Sequence, residues 1–122
     1  MNIDDARLQL RAALKEAMKA RDAERTSLWR EVIGALDNAE APPVSTSAMT
    51  PSSASIAGAV DGLFAGEIAR LVLSADDVAA LIAREVQERR AASTSYAGLG
   101  RVDEAAALSR QAAMLEALFV QT

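Results

Sequence analysis

Neither cysteine nor histidine occurs anywhere in the 122-residue chain. Disulfides, a thiolate nucleophile, an imidazole base and cysteine- or histidine-ligated metal sites are thereby excluded. A nucleophile would have to be Ser, Thr or Lys activated by a carboxylate or another lysine. The serines lie mostly in one loop or at helix ends, with neither a Gly-x-Ser-x-Gly elbow nor a Ser-x-x-Lys pair, so no catalytic residue is assigned. Glu85 and Glu88 share a helical face, as carboxylates do in di-iron bundles, but those sites also need a histidine in each Glu-x-x-His pair. No metal is expected. No stretch reads as a strand, so no glycine-rich phosphate loop can follow one, and no cofactor is expected either.

Long apolar runs are missing as well. No stretch of about 18 apolar residues is present to span a bilayer. The N-terminus has no basic-then-apolar signal pattern. The expectation is a cytoplasmic protein with no membrane role. Aromatic residues make up only 3% of a chain that is 51% hydrophobic, so alanine carries much of that figure. Alanine has high helix propensity and little volume, which predicts closely approaching helices around a thin core. The net charge of −4 disfavours a dedicated nucleic-acid binder, and the placement of basic residues has to decide that question.

What is present is helical periodicity. From about residue 3 to 20, Ile3, Ala6, Leu10, Ala13, Leu14 and Ala17 fall within one third of a helical wheel, and Arg7, Arg11, Lys15 and Lys19 form a separate stripe beside them. Leu8 falls among the basic residues. Asp22 is placed to cap a second helix, about 22 to 40, that carries Leu28, Trp29, Val32, Ile33 and Leu36. Trp29 lies inside the apolar arc and reads as core. The short Lys19–Asp22 junction demands a tight reversal or a kink. All three prolines then fall within 42–51, amid hydroxyl residues, and Gly58, Gly62 and Gly66 follow in an apolar stretch. Residues 41–73 therefore read as a long mobile loop with one helical turn, or a short arm that packs on a partner or on the domain itself.

Ser74-Ala75-Asp76-Asp77 is a capping signature for a third helix, about 75 to 97, with Val78, Leu81, Ile82 and Val86 facing inward. Gly98 and Gly100 are expected to supply the positive-φ conformations that end it. A fourth helix, about 103 to 120, returns with Asp103 near its start and Leu108, Ala112, Leu115, Leu118 and Phe119 as its core stripe. The fold class is all-α, one domain of four helices in two antiparallel hairpins. Arginines concentrate in the second hairpin, and Arg89 and Arg90 point about 100° apart, so one can pair with an acid of the first hairpin while the other stays in water.

Two blocks of sequence resemble the YqeY family, also called GatB/YqeY or Asn/Gln amidotransferase-like. The first runs Leu14-Lys15-Glu16-Ala17-Met18-Lys19-Ala20-Arg21-Asp22 and continues through Arg25, Leu28 and Arg30 to Ala35-Leu36-Asp37-Asn38-Ala39-Glu40. The second holds Glu85, Gln87, Arg89 and Arg90, then Tyr96, Gly100 and Arg101, then Glu116. The resemblance covers about two thirds of the chain and corresponds to the family's N-terminal helical domain. The family's tail domain is not matched, and residues 42–73 replace a short link. What the resemblance implies is a relative of part of the B subunit of tRNA-dependent amidotransferases, carbon–nitrogen ligases with glutamine as amide donor, whose chemistry resides in other domains. The implied role is a non-catalytic accessory or binding module. Its implied partners are tRNA or a component of the amidotransferase or translation machinery. The candidate binding residues are Arg7, Arg11, Lys15, Lys19 and Arg21 for phosphates, with Arg89, Arg90, Tyr96 and Arg101 around the second hairpin. A helical protein-interaction or self-assembly domain is the alternative.

Overall fold

A computed structural model describes residues 1–41 and 72–120. The proline-rich and glycine-spaced readings of 42–71 lie outside the described residues. Four helices account for nearly all of the described chain: α1 (Ile3–Lys19), α2 (Ala23–Glu40), α3 (Ala75–Gly98) and α4 (Val102–Val120). No strand occurs among the described residues. The chain divides into two compact units, Met1–Leu36 with Leu73–Thr122, and Asp37–Val72.

The first three helices begin where their capping chemistry directs. Asn2 Oδ1 accepts from the Asp5 amide at 2.8 Å, and Asp22 Oδ1 accepts from the Arg25 amide at 3.0 Å. At α3 the box is reciprocal: Ser74 Oγ accepts from the Asp77 amide, and Asp77 Oδ2 accepts from the Ser74 amide, both at 3.0 Å. The fourth start differs from the expectation. Helix α4 begins at Val102, which puts Asp103 inside its first turn beside Glu104, where both carboxylates face the positive end of the helix.

Both corners use one device. After α1, the Asp22 amide donates to Ala17 O at 2.9 Å and the Arg21 amide to Met18 O at 3.1 Å. After α3, the Arg101 amide donates to Tyr96 O at 2.9 Å and the Gly100 amide to Ala97 O at 3.0 Å. These are paired Schellman bonds, and they require a left-handed residue just past the cap. Gly100 takes that conformation at φ 78° and Arg21 at φ 56°. The first suits glycine, and the second is an uncommon place for a side chain.

Leu10, Leu28, Val32, Leu36, Val78 and Leu115 are the largest fully buried side chains, drawn from all four helices. Ala6, Ala17, Ala105 and Ala112 are buried among them, and these small residues let helices approach closely. Helices α3 and α4 form the most closely packed pair. Ser93 Oγ ties them by donating to Ala105 O at 2.6 Å. Trp29 is buried, as its position in the apolar arc predicts. Leu108, Leu118 and Phe119, expected in the core stripe, are half-buried at its margin.

Candidate functional site

The nine candidate residues separate by what their charges already meet. Arg89 is a core residue, its side chain 10% exposed. Its guanidinium donates to Glu31 Oε2 of α2 at 2.9 Å, and to Glu85 O at 3.0 Å and Glu85 Oε2 at 3.4 Å on its own helix. Arg90, one position on, is half-exposed and donates to Glu116 Oε1 of α4 at 2.7 Å. The two neighbours point apart as expected, one into the junction with α2, but the second is not left to water: it reaches across the hairpin to a carboxylate of α4.

At the second corner Arg101 lies over the Tyr96 ring, 5.4 Å from its centroid, and donates to Glu104 Oε1 at 3.2 Å. A Schellman corner commonly carries an apolar contact between these same two positions, and here a cation–π contact replaces it. Arg101 therefore serves the corner first, though it stays exposed.

On α1 the stripe divides again. Arg7 sits at its inner edge, with a side chain only 11% exposed that lies 3.9 Å from Asp4. Arg11, Lys15, Lys19 and Arg21 are exposed. Lys19 makes only a long pair to Glu16 at 3.8 Å, with both side chains in solvent. The side chains of Arg11, Lys15 and Arg21 have no ion-pair or hydrogen-bond partner among the described residues. Two apolar side chains lie among these cations, Leu8 at 69% and Met18 at 51% exposure. The four-residue interval places Arg11, Lys15 and Lys19 about 6 Å apart along one side of the helix.

Other charges are consumed by structure. Arg110 grips Glu24 of α2 with two bonds, Nε to Oε1 at 3.0 Å and Nη2 to Oε2 at 2.9 Å. That grip holds the Glu24 carboxyl below its ordinary range and raises the guanidinium. Arg25 Nε approaches Met114 Sδ at 3.0 Å while Nη1 stays 3.6 Å from Asp22. Asp76 and Glu88 face solvent and Glu85 is tied to Arg89, so these carboxylates do not converge on a catalytic pair. No group of three acidic residues able to hold a metal occurs among the described residues. A groove of about 420 Å³ runs along α3 past Val78, Ile82 and Val86, with Arg90 and Glu116 also lining it.

Sequence reasoning found the α1 stripe through its spacing. It did not separate Arg7 from the others, because which edge of a helical stripe is covered depends on tertiary packing that leaves no mark on the wheel.

These features define a small all-α module whose open chemistry is a strip of cations on one helix. Compared with known protein families, curated proteins and solved structures, the chain matches none. Among the described residues, no helix is long and apolar enough to cross a membrane.

Proposed function

We propose that this chain is a non-catalytic binding module that engages the phosphate backbone of tRNA through the outer side of α1, as a cytoplasmic accessory to tRNA-dependent amidation or translation. One observation carries the reading: Arg11, Lys15 and Arg21 are exposed and unpaired among the described residues, whereas Arg89, Arg90, Arg101 and Arg110 are engaged by carboxylates. Unpaired surface cations at regular spacing bind phosphates by releasing condensed counterions, and this needs no base contact. The resemblance to YqeY proteins is what turns a general polyanion into tRNA. It also places glutamine-dependent ligase chemistry in other domains, in keeping with the absence of an assigned catalytic residue here.

The test is tRNA affinity measured against salt for the native chain and for Arg11→Glu/Lys15→Glu/Lys19→Glu. Affinity falling steeply with salt, and lost in the triple variant, is the expected result. Equal affinity in both proteins removes the reading.

Leu8 and Met18 favour a second reading, in which α1 docks on another protein or on a second copy. Sedimentation at two concentrations, with and without residues 42–66, and Leu8→Ser/Met18→Ser tested for partner loss would select it over RNA.

A further inference from the structure

Resting on the reading of α1 as a phosphate-binding helix, we infer that Arg21 is a binding residue held in place by an unfavourable backbone, so that the first corner gives up stability to carry a charge. The two corners of the molecule make the comparison internally. Arg21 and Gly100 occupy the same position of the same hydrogen-bonded motif, with φ of 56° and 78°. At Gly100 the left-handed backbone meets the residue that accepts it without strain. At Arg21 a β-carbon sits where it crowds the following carbonyl.

Nothing local requires arginine there. The motif's two bonds are made by backbone amides and carbonyls alone. Arg21 is exposed and has no ion-pair partner among the described residues. The negative end of α1 would welcome a cation, but Lys19 already stands in its last turn. What Arg21 adds is a fourth charge two residues beyond Lys19, at the end of the strip Arg11, Lys15, Lys19. Strained backbone that the surrounding fold tolerates concentrates at functional positions, and this is the only non-glycine residue with positive φ among the described residues.

The ligand class follows from the arrangement. Four cations along and just past one helix fit one run of a phosphodiester backbone, approached without reading bases. Four such contacts give a slope of log affinity against log salt of about −3.6 for a duplex and about −2.8 for a single strand.

The experiment measures binding of unfractionated tRNA across a salt series, and thermal unfolding, for native protein, Arg21→Gly, Arg21→Asn and Arg21→Lys. Glycine and asparagine both accept the left-handed backbone and remove the charge. The expected result is a several-fold loss of affinity and a slope shallower by about 0.7–0.9 in both, with a higher Tm in Arg21→Gly and near-native binding in Arg21→Lys. Unchanged affinity and slope in Arg21→Gly and Arg21→Asn, while Arg11→Glu/Lys15→Glu/Lys19→Glu abolishes binding, overturns this inference and leaves the proposed function standing. A lower Tm in Arg21→Gly with unchanged binding overturns it too, because Arg21 would then be serving the helix end. Indifference of all these variants, the triple one included, removes both.

Discussion

Arg89 of α3 reaches Glu31 of α2 at 2.9 Å, and this ion pair ties the second hairpin to the first across 58 positions of sequence. The arginine is nearly buried while the Glu31 side chain is 63% exposed, so the two partners respond differently to mutation. Truncation by Arg89→Ala strands the half-buried Glu85 carboxylate as well as emptying space, at an expected cost of about 2–3 kcal/mol in chemical denaturation. Glu31→Gln leaves Arg89 its two bonds to Glu85 and should cost under about 1 kcal/mol. Neither variant should alter the salt dependence of the proposed tRNA binding once the protein is folded. A binding defect in the folded Arg89 variant would place that arginine at the ligand after all.

The same substitution should have opposite signs at two glycines. Gly34 lies in the interior of α2, and a β-carbon added there would meet nothing within 4 Å. Alanine at that position is expected to stabilise by up to about 1 kcal/mol through helix propensity. A β-carbon at Gly100 also meets nothing within 4 Å, yet its backbone is left-handed. Gly100→Ala should therefore destabilise by about 1–2 kcal/mol from backbone strain alone. Urea unfolding of the two variants, compared at equal m-value, checks the pair of signs.

Why some of this was legible and some not is clearest at individual residues. Asp22 and Ser74 announce their helices because capping is local chemistry, settled within three residues. The α3–α4 corner was readable because Gly100 stands where a left-handed residue ends the helix, whereas Gly98, expected to share that conformation, is the last residue of α3 and does not take it. The α1–α2 corner has the same geometry but carries Arg21, a residue type that does not advertise a left-handed backbone, so only its shortness was visible. The candidate site shows the same division. Spacing revealed the cations of α1, whereas the fates of Arg89 and Arg90 depended on where Glu31 and Glu116 arrive from other helices. Those positions follow from packing over long sequence separations, and a periodicity argument cannot see them.

Gln9 carries a buried side-chain oxygen, Oε1, with no hydrogen-bond partner among the described residues. An acceptor removed from water without a donor costs about 1–3 kcal/mol, and its replacement by an apolar side chain of similar length recovers part of that. Gln9→Met is accordingly expected to raise stability by about 1 kcal/mol, measured by urea denaturation. A loss of similar size would mean that the amide makes a bond in solution through its oxygen.

The Arg110–Glu24 pair predicts how the fold responds to acid. Donation from the Arg110 guanidinium is the main cause that lowers the Glu24 pKa, assisted by its positive charge and opposed in part by desolvation. Because the folded value lies below the unfolded one, the unfolded chain takes up protons first as the pH drops. The pair's contribution is therefore complete above the unfolded glutamate value of about 4.3 and fades as pH falls through the folded value. The bond is exposed on the arginine side, so the effect is modest and salt weakens it. Comparing Tm of the native chain and Glu24→Gln from pH 7 to pH 3 isolates it. The native chain should melt higher at pH 7, and the gap should close below about pH 4. A gap that stays constant across that range would show that the two bonds between α4 and α2 contribute through geometry and not through charge.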